Sequence, residues 1–144
     1  MSESIIPLKV GETCTFTKTI SESDVYQFAG ITGDFSRMHL NEAYMKTTRY
    51  GTRIVHGVLT FCLGSTASTL IQQYHDDPIP SVSYGYDHLR FTAPVYFGDT
   101  ITATYTVKQV DEENMKTYAD VVMTNQDGTV VCVAVHILKF FTND

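Results

Sequence analysis

The sequence predicts an α+β fold in which one antiparallel sheet wraps around one long buried helix. Residues 58–74 contain no proline and leave little polar face, as a buried helix does. Residues 100–110 alternate apolar and polar side chains, and Asp127-Gly128 forms a hairpin signal. A sheet packed on an apolar helix buries both elements. The length of 144 residues fits a single domain spanning residues 1–144.

The first third of the chain predicts one strand followed by an overhang of short helices. Residues 13–20 alternate weakly and form the first predicted strand. Ser21 stands three residues before Asp24, which is the spacing of a capping box and predicts a helix start. Residues 30–39 predict a turn, and residues 41–47 predict a second short helix that is capped by its first residue, an asparagine.

The remainder predicts four antiparallel strands after the long helix. Their predicted ranges are residues 81–91, 100–110, 115–124 and 129–141. The last strand is apolar along much of its length, so we expect it in the interior of the sheet. An open sheet leaves an edge strand, which predicts pairing with a second subunit.

Charge and cysteine usage narrow the functional classes. The net charge of −6 argues against nucleic acid and anionic membranes as partners, because both require a basic surface. No apolar run is long enough to span a bilayer. The three cysteines are scattered; Cys62 and Cys132 lie in apolar runs and are expected to be buried thiols. These features predict a cytoplasmic protein.

Three motifs occur in order along the chain. They are Gly33-Asp34-Phe35-Ser36-Arg37-Met38-His39, Ile54-Val55-His56-Gly57 and Phe91-Thr92-Ala93-Pro94-Val95-Tyr96-Phe97-Gly98-Asp99. They resemble the patterns Gly-Asp-x-Asn-Pro-x-His, Ile-Val-His-Gly and Phe-x-x-Pro-Val-x-x-Gly-Asp of the MaoC-like family of (R)-specific enoyl-CoA hydratases. The resemblance covers nearly the whole chain and implies a hot-dog fold, with the short-helix overhang carrying the catalytic loop.

The family chemistry requires a base that activates water and an acid that protonates C2 of a conjugated thioester, and His and Asp suit these tasks near neutral pH. The resemblance implies that His39 is the base and that Asp34 orients the water and passes a proton to C2. It implies that the Gly57 N–H stabilises charge on the thioester carbonyl and that Ser65 lies near the water. The implied activity is reversible hydration of trans-2-enoyl-CoA to (R)-3-hydroxyacyl-CoA, without a redox cofactor or metal.

Each site residue also has a structural interpretation. Asp34 is a possible turn residue, because aspartate is common in turns. His39 is a possible core histidine, and Ser65 is a possible small packing residue. His56 is a rival base, although in the family this histidine precedes the helix without holding the water. The spacing of Asp34, His39 and His56 matches no compact metal-ligand pattern. Cys62 is not expected to be a nucleophile, because it lies in an apolar run.

A local positive cluster predicts contacts with the phosphates of coenzyme A. Arg37, Lys46, Arg49 and Arg53 fall within 17 residues that contain one acid, Glu42. An ordinary solvated face is the alternative interpretation. Met45 stands where the family usually has Ala or Ser, and its larger side chain is expected to reshape the substrate pocket.

The sequence departs from the family pattern at Ser36-Arg37, which replaces Asn-Pro. This change keeps two alternatives open: a non-catalytic module or subunit that binds acyl thioesters, and a hot-dog acyl-CoA thioesterase. For the hydratase we expect a homodimer whose substrate is an acyl-CoA or acyl-carrier thioester. The acyl tail would enter a tunnel between helix and sheet that Tyr26 and Phe28 help to line.

Overall fold

Five strands form one antiparallel sheet in the order β1-β3-β4-β5-β2. The computed structural model describes residues 4–144. The strands are β1 (Thr13–Thr19), β2 (Ser81–Phe91), β3 (Thr100–Asp111), β4 (Lys116–Thr124) and β5 (Val130–Phe140). All five predicted strands are confirmed, and β5 lies inside the sheet between β4 and β2, as its apolar sequence predicted. The edges of the sheet are β1 and β2.

Four helices accompany the sheet. They are α1 (Glu22–Thr32), α2 (Arg37–Leu40), α3 (Glu42–Met45) and α4 (Gly57–Gln73). Helix α4 is the predicted long helix, and it packs mainly on β1 and β3. Gly64 permits the close approach of α4 to β4, because a Cβ there would lie 3.1 Å from the side chains of Val121 and Met123. The predicted fold, a sheet around one long helix, is therefore confirmed.

The prediction that α4 is buried on all sides is wrong for the single chain. Its inner face is buried, whereas Val58, Cys62 and Ser65 on another face are exposed. The prediction of a buried Cys62 thiol is therefore also wrong, while Cys132 is buried as expected. The composition predicted burial because the helix carries apolar residues on nearly all of its faces, but one sheet covers only one side of a helix. Among the described residues, no helix is long and apolar enough to cross a membrane.

The overhang contains more helix than the sequence predicted. The capping box at Ser21 is present, but α1 continues to Thr32 and α2 begins at Arg37, so much of the predicted turn over residues 30–39 is helical. Gly33 ends α1 in the left-handed conformation, with φ of 80°, which glycine adopts without strain. Asn41 caps α3 through the backbone N–H of Tyr44, as predicted. The actual break is only the four residues 33–36.

Candidate active site

The short break between α1 and α2 positions Asp34. The N–H of Gly33 donates to the carbonyl of Ala29 at 2.8 Å and closes α1. The carboxylate of Asp34 accepts from the N–H of Ser36 at 3.2 Å, and the Ser36 hydroxyl accepts from the N–H of Met38 at 3.3 Å. Ser36 thus performs the local bonding that an asparagine performs in turns. The loop is held by hydrogen bonds where the family pattern uses proline.

His39 is fixed through the backbone of Ile54. Its Nδ1 lies 2.8 Å from the Ile54 carbonyl oxygen, which can only accept, so Nδ1 carries the proton of the neutral ring. The N–H of Ile54 donates to the carbonyl of Met38 at 3.1 Å and completes a two-bond link. In this tautomer Nε2 has a lone pair. The geometry therefore leaves Nε2 able to accept a proton.

His56 contacts both of these residues from the start of α4. It is 3% exposed, and its Nε2 donates to the main-chain carbonyl of Asp34 at 3.1 Å. Its ring stacks on that of His39 with 3.8 Å between centroids and 27° between planes. The edge of Phe28 packs against the same ring at 4.9 Å. His56 is thus enclosed between the overhang and the long helix.

The environment of His39 keeps its imidazole neutral. Burial is the largest effect and lowers the pKa of His39, and the neighbouring His56 lowers it further. The hydrogen bond to the Ile54 carbonyl and the charge of Asp34 act in the opposite direction without cancelling the decrease. A neutral imidazole with one unprotonated nitrogen is the form that a general base requires.

Asp34 and His39 form a compact cluster with His56, and the sequence spacing did not predict that His56 joins the other two. A carboxylate oxygen and one nitrogen of each ring lie within 4.8 Å of one another. One water with hydrogen bonds of about 2.8 Å can bridge two atoms at such a distance. A shared metal ion fits poorly, because one nitrogen of each ring already bonds a carbonyl and the lone pairs of stacked rings do not converge on one point.

A cavity of about 440 Å³ opens beside His39 and reaches the N-terminus of α4. His39 and Gly57 line it, and most of the other lining residues are apolar: Ile54, Val55, Val58, Phe91, Ala93, Pro94, Val95 and Val131. The His56 side chain makes no capping hydrogen bond, and the N–H groups of Leu59 and Thr60 bond the His56 carbonyl, so the N–H groups of Gly57 and Val58 remain available to an anionic oxygen. A Cβ at Gly57 would lie 3.0 Å from the ring of Phe91. The glycine therefore keeps this end of the cavity open.

Several predicted site residues lie elsewhere. Ser65 is exposed and does not line the cavity, since eight residues along a helix correspond to about 12 Å. The Met45 side chain is fully buried and does not line this cavity, so its expected effect on the pocket stays a prediction. Phe28 packs on His56, and Tyr26 accepts a hydrogen bond from Arg53 at 2.6 Å, so neither residue lines this cavity.

The three arginines predicted to bind substrate have different environments. Arg49 is exposed and lines the cavity, which fits the prediction. The guanidinium of Arg37 lies 3.9 Å from the centre of the Tyr44 ring, outside the cavity lining. The substrate contact expected of Arg53 stays a prediction, and the contacts that the structure shows are with other groups of the protein. The Arg53 side chain is only 15% exposed, and it pairs with Glu22 and Glu42 at 3.5 and 3.6 Å, so its charge is already compensated within the protein.

Sequence reasoning missed the residues that act through backbone or packing. The Ile54 carbonyl orients His39, but a carbonyl leaves no signature in the sequence. Tyr50 and Thr60 line the cavity without belonging to any motif, and the Thr60 hydroxyl is buried without a partner. Phe91 lies in the third motif, which indicated its importance but not its contact with Gly57.

Comparison with known proteins agrees with this geometry. Residues 8–130 match the family model of the MaoC like domain. An (R)-specific enoyl-CoA hydratase of Rhodospirillum rubrum is 44% identical over 100 residues, which cover 69% of this chain and 66% of the relative. A 3-hydroxybutyryl-CoA dehydratase of Methylorubrum extorquens is 38% identical over 109 residues, 76% of this chain and 66% of the relative. The chain thus spans just under two thirds of the length of these two relatives.

The fold also agrees with that of a solved structure. The solved structure of the (R)-hydratase from A. caviae, which is involved in PHA biosynthesis, superposes with a TM-score of 0.82 at 29% identity. That likeness covers 93% of this chain and 98% of the other. The three motifs, the hot-dog architecture and the matched family model lead to one conclusion: this chain belongs to the MaoC-like family.

Proposed function

We propose that the chain catalyses the (R)-specific hydration of a trans-2-enoyl thioester to a (R)-3-hydroxyacyl thioester, and the reverse dehydration. One observation carries this proposal: His39 holds its proton on Nδ1 against the Ile54 carbonyl, which leaves Nε2 unprotonated, and the ring belongs to a cluster with Asp34 whose ligand atoms lie within 4.8 Å of one another. An apolar cavity begins at this point and leads to Gly57. The names of the relatives from R. rubrum and M. extorquens support the same reaction class.

The geometry supports a route in which one water adds across C2 and C3. Nε2 of His39 takes a proton from a water held between His39 and Asp34, and the water oxygen bonds to C3. The electron pair of the double bond moves toward the thioester oxygen, which the N–H of Gly57 stabilises at the positive end of α4. The proton that His39 took then passes through Asp34 to C2, which restores the thioester and the neutral imidazole. The net change is the addition of one water molecule.

The substrate is an acyl-CoA or an acyl-carrier thioester, with Arg49 at the cavity as the candidate phosphate contact. The route uses no metal or redox cofactor. The catalytic role expected of Ser65 stays a prediction, because this residue is exposed on α4 and lies outside the cavity lining. The three cysteines, none of them in a disulfide, support a cytoplasmic location.

We also propose a homodimer that forms through β2. This strand is an edge of the sheet, so one row of its backbone groups has no strand partner in the chain. Val82, Tyr84 and Phe91 on β2 are 52%, 60% and 51% exposed, and Val58 on α4 is 52% exposed. A second copy paired at this edge would cover these apolar side chains. Light scattering at micromolar concentration measures the mass directly, and a monomer would contradict the proposal.

The test of the activity follows the ultraviolet absorbance of the conjugated thioester in crotonyl-CoA and in a longer enoyl-CoA. We expect the absorbance to fall with the protein and to remain with His39→Ala. An (R)-specific 3-hydroxyacyl-CoA dehydrogenase then identifies the product. Tight acyl-CoA binding without turnover would favour a binding module, and release of free thiol would favour a thioesterase. Either result would contradict the hydratase.

A further inference from the structure

His56 contacts both members of the proposed acid–base pair. It donates from Nε2 to the main-chain carbonyl of Asp34 at 3.1 Å and stacks on His39 at 3.8 Å between ring centroids. It also immediately precedes Gly57, where α4 begins. We propose that His56 is a positioning residue, which holds Asp34 and His39 in the relative geometry that hydration requires. This inference rests on the proposed hydratase function.

The usual structural reasons do not explain a histidine at this position. His56 is the residue before the first turn of α4, yet its side chain makes no capping hydrogen bond. Asn, Asp, Ser and Thr are the residues that stabilise a helix at that position. Its Nδ1 is buried and has no hydrogen-bond partner, which destabilises the folded state. Its directional side-chain contacts are the hydrogen bond to the Asp34 carbonyl and the ring contacts with His39 and Phe28.

Each contact restricts one coordinate of the site. The hydrogen bond to the Asp34 carbonyl fixes the backbone of the short break between α1 and α2, and with it the origin of the Asp34 side chain. The stack confines the plane of the His39 ring, while the Ile54 carbonyl fixes its rotation. Phe28 of α1 packs against His56 and limits the movement of the His56 ring. A displacement of about 1 Å at a catalytic group is enough to reduce turnover about a hundredfold.

The stack also affects the charge state of His39. The titratable groups that face His39 are Asp34 from the loop, His56 from the start of α4, and Arg49 and Tyr50 from the cavity lining. Burial and the neighbouring His56 both lower the pKa of His39. Loss of the stacked ring admits water and removes the electrostatic effect of His56 that lowers the pKa of His39, so this pKa rises. A base works only when unprotonated, and the acidic limb of the pH–rate profile therefore moves to higher pH.

Two substitutions separate the hydrogen bond from the stack. His56→Gln places an amide donor near the position of Nε2 but removes the ring, so we expect the acidic limb to shift while kcat falls less than tenfold. His56→Phe keeps a ring but removes the donor, so we expect kcat to fall roughly tenfold to hundredfold with KM nearly unchanged. The matched control is His75→Gln, at the far end of α4, where the ring contacts Glu12. We expect this control to leave kcat and the acidic limb of the pH–rate profile unchanged.

A second readout does not depend on activity. Nuclear magnetic resonance of protein labelled at histidine follows the titration of His39, assigned by its loss in His39→Ala. We expect the His39 titration to shift upward in His56→Gln and to shift less in His56→Phe. If the wild type lacks hydratase activity, the proposed function fails, and this titration still reports the His56 contact. Should the His56 variants not fold, Phe28→Leu loosens the same ring and is expected to shift the titration in the same direction. Unchanged kcat and unchanged titration in folded variants would overturn the inference.

Discussion

His39 and His136 lie in two different environments that share low accessibility and a lowered pKa. His136, on β5, has no exposed surface and bonds the Tyr105 hydroxyl at 2.8 Å through Nδ1 and the Ser83 hydroxyl at 2.7 Å through Nε2. Burial lowers its pKa to about 4. His39 is partly buried, and only Nδ1 has a protein partner in the described chain.

The comparison shows that hydrogen-bond saturation, more than burial, separates a structural histidine from a catalytic candidate. Both nitrogens of His136 are occupied by hydroxyls, so the ring contributes to packing and polar satisfaction in the core. His39 has an unprotonated nitrogen, and its ring lines a cavity that a thioester can enter. A buried titratable group is therefore informative about function only when its partners have been counted.

The largest expected effect is the difference in kcat between a variant at His39 and a variant beside His136. His39→Ala should lower kcat by about 10² to 10⁴, because a positioned base contributes that much to proton transfer. Ser83→Ala, which removes one partner of His136, should leave kcat nearly unchanged. Steady-state hydration assays on both variants check this. Comparable losses of kcat in the two variants would contradict a catalytic role for His39 and a structural role for His136.

The second prediction concerns the pH dependence of stability. The folded-state pKa of His136 is about 4, below the ordinary value, so the unfolded chain takes up a proton first. The free energy of unfolding should then decrease as pH falls from roughly 6.5 to about 4, by up to roughly 3 kcal/mol, and the contribution is fully present above that window. Urea unfolding at several pH values measures this. The slope should be shallower in His136→Gln, and equal slopes would refute the assignment.

The third prediction tests whether the Tyr105 hydroxyl serves the core. Tyr105→Phe leaves Nδ1 of His136 without a partner, which should lower the free energy of unfolding by about 1–3 kcal/mol. The kcat of the folded protein should not change, since none of the three residues of this network lines the cavity. Chemical denaturation and activity measured on the same preparation check both parts. A fall in kcat without a loss of stability would assign the network to the reaction instead.

The smallest expected effect distinguishes two arginines. Arg49→Ala should raise KM for the acyl-CoA substrate by up to about fivefold, because an exposed cavity arginine loses a solvated phosphate contact. Arg53→Met should leave KM unchanged and lower the denaturation midpoint, because Arg53 pairs with Glu22 and Glu42. A raised KM in Arg53→Met with an unchanged KM in Arg49→Ala would assign the substrate contact to Arg53.

Local patterns predicted much of the fold and part of the site. Strand alternation, the capping box at Ser21 and the apolar stretch of α4 each depend on near neighbours in sequence, and all three are confirmed. The closeness of Asp34 to His39 follows from their separation by five residues. The error at Cys62 and the unexpected surroundings of Met45 and Arg53 have a common cause. Which face of an element becomes buried, and which partner an arginine finds, depend on packing between distant segments.

By itself, the sequence determined the order of elements, the hot-dog resemblance and the presence of Asp34, His39 and Gly57, because these are written in residue types and short spacings. Tertiary structure alone decided which nitrogen of His39 carries the proton, that His56 stacks on it, and that Arg53 is neutralised within the overhang. Hydrogen bonds and ring contacts are directional and act over a few ångströms. They arise only when packing joins segments such as residues 34–39 and 53–57, which the chain itself keeps apart.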